Sequence, residues 1–191
     1  MKIGIFGGSF NPIHTGHAIL ANHIVQNTGI DRLWLMVAPQ NPLKPGCDPS
    51  YDTHRLHMAQ LVASQSAGVE VSDFEFSLPY PSYTINTLDA LSRRYPEHQF
   101  QLVVGADNWA LFDKWREPER IINEYGLLIY PRRGFEVVID DAIKDKVRLV
   151  DAPLVEISSS CIRRLIASGG NISFLVPHSV RDYIKSHNLY T

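Results

Sequence analysis

Two histidines three residues apart, His14 and His17, close an eleven-residue run from Gly7 that reads Gly-Gly-Ser-Phe-Asn-Pro-Ile-His-Thr-Gly-His. The run follows directly on the apolar stretch Ile3-Gly4-Ile5-Phe6. That order predicts a strand, a tight glycine loop and a helix start. Paired glycines let the backbone turn sharply and leave its N–H groups uncovered. A first helical turn adds more unpaired N–H groups and the positive end of a dipole. Such a place suits an anion, and phosphate is its usual occupant. The imidazoles add donors able to carry charge near neutral pH. Two histidines are also half a metal site, but no third histidine or cysteine follows at a recognisable spacing. The glycines, at 4, 7, 8 and 16, fit neither Walker A nor the Gly-x-Gly-x-x-Gly of dinucleotide dehydrogenases.

Four other constellations carry polar chemistry. Ile157-Ser158-Ser159-Ser160-Cys161-Ile162-Arg163 places three hydroxyls and a guanidinium at the start of a helix. Serine there satisfies orphan helix N–H groups, and arginine can grip phosphate oxygens bidentately. Gly105-Ala106-Asp107 ends a strand with a carboxylate, which by itself could simply cap the next helix. Ser82-Tyr83-Thr84 opens a helix after Pro79 and Pro81, so its free N–H groups can meet a substrate carboxylate. Trp115 is flanked by Lys114 and Arg116, a poor setting for full burial and a better one for a stacking wall.

The elements that must position these groups alternate. Strands are expected at 2–6, 32–37, 69–72, 99–104, 126–130 and 147–150. Helices are expected at 16–27, 53–66 (capped by Asp52), 83–95, 159–168 and 177–187, with a helix or turn from Trp109 to Trp115. Alternation of this kind argues for an α/β fold, a mostly parallel sheet with helices on both faces. Ligands of such sheets bind at the carboxyl ends of strands. The loops after the first, second and fourth strands all lie there, among them a proline-rich loop from Ala38 to Tyr51 that carries Lys44.

Composition sets the outer bounds. With 191 residues, 45% apolar and 20% charged, the chain suits one domain, 1–191, with a substantial core. A net charge of −2 supplies no basic field for nucleic acid. No run of about 18 apolar residues suggests a membrane span. Cys47 and Cys161 lack metal-type spacing, and a reducing cytoplasm is the expected setting.

The Gly7–His17 run resembles the loop of the adenylyltransferases that share a His-x-Gly-His signature, and Ile157–Arg163 resembles their Ile-Ser-Ser-Thr-x-Ile-Arg motif. Taken in order with Arg55, Ser82–Leu88, Gly105–Trp115 and Val176-Pro177…Tyr183-Ile184, these segments are similar to the bacterial nicotinate-nucleotide adenylyltransferase family over nearly the whole chain. The resemblance implies a Rossmann-like nucleotidyltransferase fold. It implies transfer of AMP from ATP to nicotinate mononucleotide, with Mg2+, giving deamido-NAD and pyrophosphate. By the same resemblance Gly7, Gly8, Ser9, Phe10, His14, His17, Gly105, Asp107, Ser158, Ser159, Ser160 and Arg163 bind ATP. His17 and His14 are then catalytic, Asp107 meets the ribose, and Lys44, Tyr83, Thr84 and Trp115 bind the mononucleotide.

The match has departures. Asn11 stands where aspartate is common, Ser160 where threonine is usual, no histidine precedes Lys44, and Leu-Pro-Tyr-Pro precedes Ser82 without an acidic residue or glycine. The pantetheine-phosphate adenylyltransferases share the first loop and the C-terminal motif but are typically shorter and lack the Ser-Tyr-Thr and Asp107…Trp115 features. A silent nucleotide-binding regulator would have no need of intact histidines and Arg163. A tRNA synthetase fragment would bring a second lysine-rich motif. The expected partners are ATP and nicotinate mononucleotide, with no nucleic acid and no membrane; a homo-oligomer stays open.

Overall fold

Central strands buried on both faces read as apolar runs, and among the described residues six strands form one sheet: β1 Lys2–Gly8, β2 Arg32–Val37, β3 Val69–Ser72, β4 Gln99–Gly105, β5 Leu127–Tyr130 and β6 Val147–Leu149, with β3 and β6 at its less buried edges. The structure, a computed structural model, describes residues 1–39 and 51–191. All the pairings are parallel, in the order β3-β2-β1-β4-β5-β6. Chain order reverses between β1 and β4, and that reversal opens a crevice at their carboxyl ends.

Among the described residues seven α-helices flank the sheet: α1 Thr15–Asn27, α2 Asp52–Ala63, α3 Thr84–Arg94, α4 Ala106–Trp109, α5 Pro118–Glu124, α6 Ser159–Ala167 and α7 His178–Ser186. Side chains alternate across the sheet, so each of the four central strands, β2, β1, β4 and β5, feeds two cores. On one face Phe6, Val103 and Leu128 meet Ile24, Met58, Ile162 and Val180 from α1, α2, α6 and α7. On the other Ile5, Leu102 and Ile129 meet Ile85, Leu88 and Ile121 from α3 and α5. The fold is the α/β architecture that the alternation implies, a parallel sheet with helices on both faces, and it agrees with the Rossmann-like fold implied by the resemblance.

Local details differ from the sequence expectation. Gly7 and Gly8 do not make a tight turn: they extend β1 and pair with Met36 and Val37 of β2. The turn falls at Phe10, whose φ of 46° lies in the left-handed region. Asp52 does not cap α2; Tyr51 does, and Asp52 is the first helical residue, where it receives the Arg55 guanidinium. The stretch from Trp109 to Trp115 divides into the end of α4 and a 3-10 turn at Phe112–Lys114. Helix α5, with Pro118 in its first turn, adds an element the sequence reading had not assigned.

Candidate active site

The site is built on the carboxyl ends of β1, β4 and β5, which are neighbours in the sheet. After β1 the chain runs through Ser9–Ile13 to His14, the N-cap of α1. Every turn of that loop is tied down. Arg55, fully buried on α2, donates from Nη1 to the carbonyls of Ser9 (2.5 Å) and Ala38 (2.9 Å), and its other terminal nitrogen bonds Asp52. Ser159 Oγ donates to Pro12 O at 2.9 Å, and Arg163 Nη1 to Asn11 O at 2.7 Å. Tyr190 OH donates to Asn11 Oδ1 at 2.6 Å. Asn11 is thus used as an acceptor, a task asparagine performs without adding a charge.

The histidines form a stacked pair, with ring centroids 3.7 Å apart. The backbone N–H of His14 donates to Nδ1 of His17 at 3.2 Å. That bond assigns the proton of a neutral His17 ring to Nε2. His14 is buried and His17 half-buried against it, and desolvation is the main reason their pKa values fall. That of His14 drops from 6.5 to about 4, aided by the Arg132 charge. That of His17 drops well below 6.5, aided by His14 and then Arg132. The expectation that these rings carry charge near neutral pH is corrected accordingly: in the free protein they are neutral donors.

Other expected donors are already engaged. The N–H of Thr15, first in α1, goes to Leu175 O, and that of His17 to His14 O, so the helix start offers fewer free groups than its sequence suggests. Phe10, expected to meet ATP, buries its ring against Phe6 and His17 and has only its backbone to offer. Ser158 Oγ caps α6 by accepting from Cys161 N–H. Ser159 and Arg163 brace the first loop as described, while Ser160 stays exposed at the helix start, 3.5 Å from Arg163 Nη2.

A cleft of about 1080 Å³, its open mouth included, lies at the β1–β4 reversal. Gly7, Gly8 and Ser9 form one wall and Gly105 the floor, with Ser82, Tyr83, Thr84 and Trp115 opposite. A Cβ at Gly7 would meet nothing in the protein within 4 Å, because that face of the strand opens into the cleft. At Gly105 a Cβ would lie 2.3 Å from Asp107 Oδ1, so only glycine lets the carboxylate fold back there. Tyr83 is the N-cap of α3 and Thr84 its first residue, with the Arg116 guanidinium 5.0 Å over the Tyr83 ring. Trp115 is half-buried against Phe112. Neither Ser82 Oγ nor Trp115 Nε1, both buried, has a hydrogen-bond partner among the described residues. Lys44 lies outside the described residues.

A second, smaller recess shares Tyr130 with the cleft and is lined by His14, His17 and Arg132. Arg132 and Glu75 were not singled out from the sequence. Arg132 follows β5, the third strand to end at the site, and the basic pair Arg132-Arg133 directly after a strand is a signal that could have found it. Glu75 lines the cleft and accepts the Thr87 hydroxyl at 2.7 Å; burial raises its carboxyl pKa. No sequence pattern marks it.

Curated relatives match the chain over its full length. The cytidylyltransferase-like family model matches residues 5–165. A probable nicotinate-nucleotide adenylyltransferase of Bacteroides fragilis is 48% identical over 198 residues, covering 100% of this chain and 98% of its own. One from Flavobacterium johnsoniae is 42% identical over 191 residues, covering 100% and 99%. The solved nicotinic acid mononucleotide adenylyltransferase of Plasmodium falciparum, complexed with NaAD, superposes with a TM-score of 0.79 at 24% identity, over 99% of this chain and 97% of that one. With a site of neutral histidine donors at the switch point of a Rossmann-like sheet, and with such identity from end to end, the chain belongs to the nicotinate-nucleotide adenylyltransferase family of cytidylyltransferase-like nucleotidyltransferases.

Proposed function

We infer that the protein transfers AMP from ATP to nicotinate mononucleotide, giving deamido-NAD and pyrophosphate. The observation that carries this reading is the continuous cleft. It joins the histidine-flanked loop after β1 to the start of α3 and Trp115 across the β1–β4 crevice. One side suits phosphates and the other a flat ring with an acidic substituent.

The chemistry asks little of the protein in proton transfer. A 5′-phosphate oxygen of the mononucleotide attacks the α-phosphorus of ATP. The new P–O bond forms as the bond to the bridging oxygen breaks, and its electron pair leaves with pyrophosphate. The attacking oxygen is already anionic at neutral pH, so no base is needed. Catalysis is positioning together with stabilisation of charge on the phosphate oxygens. His17 supplies Nε2–H to the α-phosphate, and the backbone of Gly8–Phe10 lines the same path. Its partner His14 packs against it and heads α1. Ser158, Ser160 and the remaining nitrogens of Arg163 face the outer phosphates, and Asp107 suits the ribose hydroxyls. Lys44 enters as a mononucleotide ligand on resemblance alone.

Magnesium fits as a companion of ATP. Asp107 Oδ1 is buried without a hydrogen-bond partner among the described residues, and a hydrated Mg2+ held mainly by phosphate oxygens needs no more than one or two such carboxylates. When bound it neutralises phosphate charge.

The acid is preferred over the amide because the start of α3 offers backbone N–H groups, the Thr84 hydroxyl and a dipole to a carboxylate. Trp115 stacks on the ring and holds it over that helix end. The test is kcat/KM for nicotinate and nicotinamide mononucleotides at saturating ATP and magnesium. The acid is expected to win by at least about tenfold. Equal constants, or preference for the amide, would overturn this assignment of the α3 start.

A further inference from the structure

We propose that Arg132 is a catalytic residue that grips the triphosphate of ATP from the carboxyl end of β5. The inference rests on the adenylyl-transfer reading above and adds to it a second cation, opposite the Arg163 that α6 supplies.

A triphosphate needs local positive charge, and the expected sources are largely committed. Arg55 is fully buried and spends its terminal nitrogens on two carbonyls and Asp52. Arg163 holds the carbonyl of Asn11. His14 and His17 are neutral. Within the recess beside those histidines, Arg132 is the one guanidinium among the described residues.

Arg132 is held in place without being satisfied. Its Cζ sits 5.2 Å over the Tyr130 ring, and Nη2 makes a long bond of 3.3 Å to Tyr130 OH. Nε lies 3.7 Å from Asp107 Oδ1. Both of those atoms are buried, and neither has a hydrogen-bond partner among the described residues. A guanidinium placed by stacking, with donors unspent, loses little on taking a phosphate, and its planar fork matches two phosphate oxygens. Its charge acts on both histidine rings, which puts it beside the groups that would face the α-phosphate. From there it opposes the negative charge that gathers on the departing pyrophosphate.

The neighbouring Arg133 provides the control, since it is exposed and pairs with Glu156 at 2.8 Å. Arg132→Ala and Arg132→Gln are compared with Arg133→Ala and the parent protein. The readouts are calorimetric binding of tripolyphosphate and steady-state kinetics with magnesium-ATP. Each Arg132 variant is expected to weaken tripolyphosphate binding and to lower kcat/KM for ATP by about tenfold or more, the effect of losing one charge-assisted contact. The KM for the mononucleotide should stay within about twofold. The glutamine variant keeps the reach and packing of the side chain should alanine disturb the fold. Wild-type tripolyphosphate affinity in either folded variant overturns the proposal, as does an equal loss in Arg133→Ala. Transfer of AMP to the acid mononucleotide by the parent protein is scored separately, so either reading can fail alone.

Discussion

The two walls of the site are made differently. On the side of the first loop, most polar groups are spent on one another: Arg55 on Ser9 and Ala38, Ser159 on Pro12, Arg163 and Tyr190 on Asn11, with His14 Nδ1 and Arg55 Nε left without a partner among the described residues. On the far side and along the β4–β5 edge they are held in reserve. Ser82 Oγ, Trp115 Nε1, Asp107 Oδ1 and Arg132 Nε are buried without a hydrogen-bond partner among the described residues. An unpaired buried polar atom is costly, and Ser82 Oγ and Trp115 Nε1 at the cleft, with Arg132 Nε in the recess beside it, mark groups kept for a ligand. The braced wall fixes where the reaction happens, and the reserved wall decides what is held there.

The comparison breaks most visibly at Arg55. Arg55→Met leaves two carbonyls and the Asp52 carboxylate without their cation, and should cost about 3–5 kcal/mol of stability. Urea unfolding checks this, and an unchanged midpoint would mean that the loop is not held from α2.

Acid acts on the same wall. A histidine whose folded pKa lies below its unfolded value binds fewer protons when folded, so stability is lost as pH falls. For His14 the window runs from 6.5 down to about 4, and the loss is on the order of 3 kcal/mol. His17, shifted in the same direction, adds to it. Thermal melts between pH 7 and pH 4 should fall steeply, and the slope should flatten in His14→Gln. A flat profile in the parent protein would contradict the desolvated, neutral pair.

The reserved wall should respond in binding alone. Trp115→Phe keeps an aromatic face but removes an N–H with no internal partner. It should raise the KM for the mononucleotide by about three- to tenfold, with the melting temperature unmoved. A stability loss with unaltered KM would reassign Trp115 to the core.

The sheet was legible because strands buried on both faces must be apolar runs, and Ile3–Phe6, Leu33–Val37 and Leu127–Tyr130 are little else. The histidine loop was legible from spacing. Three things were not. Gly7-Gly8 was read as a turn because glycine permits turns, yet permission is not instruction, and pairing with β2 decided otherwise. The histidines were read as chargeable because burial has no local signature in sequence. Arg132 was passed over because its place beside His17 arises only when β5 lies next to β4. Helix α5 escaped because it is a single short stretch entered through left-handed Glu117, although Pro118 at its start was a readable cue.

The ties on the first loop also have a meaning in time. Pro12 meets Ser159, Asn11 meets Arg163, and Asn11 meets Tyr190 across separations of 147, 152 and 179 residues. Contacts that close such long stretches of chain carry the largest entropic toll and raise the contact order on which folding rates depend. Residues 9–12 are among the first to be made, yet their native geometry waits for α6 and the residues after α7 to dock. Recovery of activity therefore demands the docking of α6 and the residues after α7 as well as the pairing of the sheet.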